Sequence, residues 1–229
     1  MKNIRVKDLI IFRSLSERRQ ITFVSNLQKE KIVKDEDEGS GGNYWVRSIS
    51  ALNNAFREND NTFIKEKIND ILNDYNPKLD NRTKVKYDRN LQILHNYEDF
   101  DFRSITPSGE IEILLKVRKN GVIDVNGLDL KVETHHIYAF DSDNKTYLGA
   151  VLFAVQKGGY KLDELGIFAE AIFTFLVKNY SEKYIIDPSF IKVIDVMTHE
   201  IVDYQMIADG TVASLLNVTV EDIKTFRGN

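Results

Sequence analysis

Cysteine is absent from the 229-residue chain, proline occurs 3 times and tryptophan once. Without cysteine there is no disulfide framework, no thiolate-held zinc or iron–sulfur centre and no thiol chemistry. With so little proline and only 12 Gly, the chain is neither collagen-like nor of low complexity. It holds no uninterrupted apolar run of about 18 residues, so no membrane span is expected. Residues 1–20 mix apolar side chains with Arg, Lys, Asp and Glu and lack the apolar centre of a secretory signal. The expected compartment is the cytoplasm of a bacterium. Charge of one sign is also scarce: the net is −4 and the pI about 5.7, which argues against a generic nucleic-acid coat and leaves room for a local basic face.

A hydrophobic fraction of 42% supports a full core at this length without metals or disulfides. Charge is uneven along the chain. Residues 1–34 hold nine Lys+Arg and three Asp+Glu, a net +6, followed at once by Asp35-Glu36-Asp37-Glu38. Such a stretch reads either as a solvated face or as an arm that contacts phosphates. Gly39-Ser40-Gly41-Gly42 reads as a connector, because it lacks the Gly-Lys-Ser/Thr ending of a phosphate-binding loop.

The first hundred residues read as largely helical. The start, 3–28, fits strand or helix equally. Trp45, Ile49, Leu52 and Phe56 form one apolar stripe and predict a helix over 44–58, with Asn43 as its cap. Further helices are expected over 62–75, stopped by Pro77, and over 82–96. After the turn at Thr106-Pro107-Ser108-Gly109, strands dominate. The expected ones are 110–119, 122–125 after the hairpin dipeptide Asn120-Gly121, 128–140 after Asn126-Gly127, and 146–155. The last is almost wholly apolar and reads as a central strand covered on both faces, with Gly149 marking a close approach or bulge. A long helix over 162–179 should cover the sheet. Pro188 marks a turn, a buried strand runs over 190–196, residues 201–207 pair back, and a short helix opens at Thr219.

The expected class is therefore α+β: a mostly helical N-terminal region on a mixed or antiparallel sheet, with 162–179 as the covering helix. The expected organisation is one domain, 1–229, divisible into a helical subdomain over residues 1–105 and a β-rich subdomain over residues 106–229. No internal repeat or long heptad array is present.

Chemistry-bearing residues are few. His135 and His136 are adjacent and point to opposite faces of a strand. Glu133 and His135 share a face, and with Asp195 they form a candidate metal set. Asp195 stands out as a carboxylate inside Val193-Ile194-Asp195-Val196-Met197, where it needs a partner or a polar cleft. No His-Glu-x-x-His or Gly-x-Ser-x-Gly pattern occurs. Arg13, Arg18, Arg19, Tyr44 and Trp45 form a candidate binding patch of cations and aromatic rings.

The order helix, β-meander, apolar strand ending in Lys157, long helix, strand is similar to the core of the RecB-like PD-(D/E)XK nucleases. The likeness covers about residues 44–205. In that superfamily an acid at a strand or turn precedes an acid-x-Lys triplet. The acids bind Mg²⁺, and metal and lysine together activate water. The resemblance implies Asp141 or Asp143 as the first acid and Val155-Gln156-Lys157 as the triplet. The triplet's acid position holds valine, which cannot bind a cation.

Two functions are carried forward. The first is non-catalytic binding of a protein partner or nucleic acid on a degenerate nuclease-like scaffold, with no cofactor. The alternative is a Mg²⁺-dependent nuclease or phosphodiesterase using Asp141, Asp143, Glu133, Asp195 and Lys157.

Overall fold

The computed structural model describes residues 4–28, 44–114 and 121–226. Gly39–Gly42, Asn43 and Asn120 fall outside the described residues, as does the second half of the strand expected over 110–119. The chain is α+β, as its pattern predicts, and divides into two compact units: 1–32 with 109–229, and 33–108. This boundary differs from a division at 105, because strand β1 (Ile4–Arg5) pairs in parallel with β4 (Leu128–Lys131) and ties the N-terminus to the sheet unit. The ambiguous start is helical, as α1 (Val6–Ser14) and α2 (Glu17–Gln28).

In the sheet unit, β3 (Val122–Val125) and β4 form a hairpin around Asn126-Gly127, both at positive φ. The main sheet has the order β2-β5-β6-β7-β8, with β2 at Glu112–Ile113, β5 at His136–Ser142, β6 at Lys145–Ala154, β7 at Ile185–Asp195 and β8 at Ile201–Asp203. β5 and β6 are antiparallel; β6 and β7 are parallel, joined by helix α6 (Leu162–Tyr180). Residues 148–154 of β6 are all buried, as an interior strand's apolar run requires. Leu148, Ala150, Leu152 and Ala154 join Ile191, Val193 and the α6 residues Leu165, Ala169, Ile172 and Leu176 in one core.

Three expectations about this unit are corrected. The strand read over 128–140 is two strands in two sheets, broken at the polar Glu133-Thr134-His135. Pro188 lies within β7: register jumps from Leu148↔Ile186 to Ala150↔Ile191, so residues 187–190 bulge out and need no ladder N–H from proline. Only Ile201–Asp203 of 201–207 pairs back; Asp203 then caps α7 (Tyr204–Ala208) by accepting from Met206 N at 3.1 Å. Gly149 faces the bulge. A Cβ there would lie 2.6 Å from the Tyr138 ring and 2.8 Å from Phe190 O, because the Tyr138 hydroxyl crosses Gly149 to donate to Phe190 O at 3.2 Å. The C-terminal helix α8 (Leu216–Thr225) starts before Thr219.

The helical unit contains α3 (Val46–Glu58), α4 (Thr62–Asp74), α5 (Asn81–Asn96) and a 3-10 turn at Phe102–Ile105. Leu52, Phe56, Ile64, Ile71, Ile93, Leu94 and Tyr97 are buried in it, on the stripes that the helical period predicts. Asp80 caps α5, accepting from Thr83 N at 3.0 Å and Thr83 Oγ1 at 2.7 Å, and these bonds hold its carboxyl below the usual range.

Asn90 joins the start of α3 to α5. Its side chain is fully buried and fully bonded: Oδ1 accepts from Ser48 N (3.0 Å) and Ser48 Oγ (2.9 Å), while Nδ2 donates to Tyr44 O (2.9 Å) and Lys86 O (2.8 Å). Asn90→Ala removes all of these bonds and leaves buried partners unsatisfied. The expected loss is about 2–3 kcal/mol of unfolding free energy in urea. A loss below about 0.5 kcal/mol, the level of an ordinary surface change, would refute this role.

Candidate functional site

In open α/β sheets, ligands sit outside the carboxyl ends of parallel strands. Here those ends belong to β6 and β7, where Ala154 pairs with Asp195. The start of β5 reaches the same edge, since His136 pairs with Val151 and His135 N donates to Val151 O at 3.0 Å. The first turn of α1 arrives there too: Lys7 Nζ donates to Val155 O at 3.4 Å. The loop 156–161 and the start of α6 complete the edge.

Asp195 is fully buried at the end of β7. Its Oδ1 accepts from Met197 N at 2.7 Å and, more weakly, from Thr198 N at 3.4 Å; its Oδ2 accepts from Tyr160 N. One carboxylate thus closes the β7–β8 turn and clamps the 156–161 loop. Gly159, at φ +78, permits the clamp, since a Cβ there would sit 2.9 Å from Asp195 Oδ2 and 2.5 Å from Thr198 Cγ2.

Val155 occupies the position that a metal-binding acid takes in the nuclease triplet, and its polar offering is a carbonyl. That carbonyl takes Lys7 Nζ and the Tyr160 hydroxyl, each at 3.4 Å. Burial, then Arg5, hold the Lys7 ammonium below its ordinary value, while Glu133 and Asp8 oppose. Burial, then the charges of Asp195, Glu164 and Glu133, push the Tyr160 phenol up. Glu133 and Lys157 are exposed at this edge. Glu164 Oε2 accepts from Lys161 N at 2.9 Å. His135 Nδ1 accepts from Phe153 N at 2.9 Å, which in the neutral ring places the proton on Nε2.

Asp141 and Asp143 are not brought to Lys157. They lie at the β5–β6 turn, where Asp141 Oδ1 accepts from Thr146 Oγ1 at 2.7 Å. The whole of β6, about 30 Å at 3.3 Å per residue, separates that turn from the Lys157 end. Glu133, His135 and Asp195 share an edge, but among the described residues no group of three His, Asp or Glu side chains is placed to hold a metal ion. The Arg13, Arg18, Arg19, Tyr44, Trp45 patch is divided between the units. The arginines lie on α1 and α2, with Arg13 Nη1 donating to Thr219 Oγ1 at 3.2 Å; Tyr44 and Trp45 belong to the helical unit, their ring centroids 4.6 Å apart.

The sequence pattern missed Lys7, Tyr160 and Glu170. Glu170 was visible as an acid inside Phe168-Ala169-Glu170-Ala171-Ile172; Lys7 and Tyr160 gave no signal. No known family model, no characterised protein and no solved structure matches this chain.

Proposed function

We propose that this chain binds a partner without breaking a bond, on a nuclease-like scaffold in the bacterial cytoplasm, and that nucleic acid is the partner class. The observation that carries this reading is the state of Asp195. A Mg²⁺-dependent hydrolase holds its ion through carboxylate oxygens at about 2.0–2.1 Å. Asp195 is fully buried and accepts from three backbone N–H groups, and the neighbouring strand offers Val155 in place of an acid. The cations at the edge are the half-buried Lys7 and the exposed Lys157, set among the acids Glu133, Glu164 and the buried Asp195. Exposed Arg18 and Arg19 add positive charge on α2. Ammonium and guanidinium groups without a metal-binding acid set attract phosphates and do not activate water.

The test is electrophoretic mobility of labelled DNA and RNA, single- and double-stranded, with the protein in Mg²⁺ or Mn²⁺. Retardation that weakens steeply with salt, with the nucleic acid intact after long incubation, is the expected result. Cleavage that disappears in Glu133→Gln would overturn it in favour of the metal-dependent phosphodiesterase. Absence of retardation for every probe at low salt would overturn nucleic acid as the partner and leave a protein in its place.

A further inference from the structure

We draw no further inference here: the strongest candidate, the polar cavity of about 280 Å³ bordered by β3, α6 and the start of α8, carries two carboxylates, Glu170, which caps α8 and holds Ser214, and the exposed Asp124, which accepts from Gly127 N within its own hairpin, and nothing in the structure shows what would fill it.

Discussion

Leu152→Asp is expected to leave the sheet unit without a cooperative thermal transition. Leu152 lies in β6 between β5 and β7, under α6, in the core that also holds Ala150, Ile191 and Val193. Removing the leucine forfeits about 1.5–3 kcal/mol of burial. Placing a carboxylate there without a partner costs several kcal/mol more, whether it ionises or takes up a proton. The sum approaches or exceeds the roughly 5–15 kcal/mol that holds a domain folded. Far-UV circular dichroism on heating checks it. A sharp transition within a few degrees of the original would mean that β6 is not the interior strand on which this architecture rests. Leu152→Val is the control, with a loss near 1 kcal/mol.

The strand that carries this prediction was also the one the sequence made plainest. An unbroken apolar run between turn residues admits one economical placement, an interior strand, and α6 follows from a broad apolar face with the same logic. The errors fall where local pattern and tertiary context disagree. Residues 128–140 keep apolar anchors on both sides of Glu133-Thr134-His135, so period alone joins what the chain splits between two sheets. Pro188 reads as a turn because a ladder excludes it, and the bulge over 187–190 is the device that admits it. At 201–207 the cap Asp203 was present in the sequence, but the apolar residues after it fit strand as well as helix.

The candidate site was only partly legible, and one misplacement was avoidable. Two consecutive antiparallel strands put their connecting turn at the beginning of the second strand. Asp141 and Asp143, in the turn before β6, therefore cannot meet Lys157 beyond its end. The residue of the first strand that meets Lys157 must come from its start, which is where Glu133 lies. Asp195 was visible as an anomaly, and its environment resolves it into a clamp of two turns. Asn90 and Lys7 were hidden for a different reason. Their partners lie 42 and 148 residues away, and no local period carries such a pairing.

Glu170 shows how much stability can depend on a contact of that kind, and Glu170→Ala has the second-largest expected effect. Glu170 sits on α6 in an apolar environment with 6% exposure. Helix α8 begins at Leu216 with Leu215 at its cap position, and Leu215 has no side-chain oxygen to give. Glu170 supplies the missing cap from another helix. Its Oε2 accepts from Leu215 N and Leu216 N, both at 2.9 Å, and its Oε1 accepts from Ser214 Oγ at 2.5 Å. The carboxylate charge also faces the positive end of the α8 dipole. Alanine removes the acceptor for two backbone N–H groups and a hydroxyl, and leaves a small void in α6. The expected cost is about 3–4 kcal/mol. Glutamine keeps the shape and one acceptor oxygen but loses the charge and turns an amide N–H₂ toward donors, so its cost is intermediate, about 1–2 kcal/mol. Urea melts of both variants give the ordering. Hydrogen exchange at Leu215 and Leu216 localises the effect, because opening of α8 exposes those amides first. Equal stability of the alanine variant and the original, with unchanged exchange at both amides, would show that α8 is held by its apolar face alone, through Leu216, Val220 and Ile223.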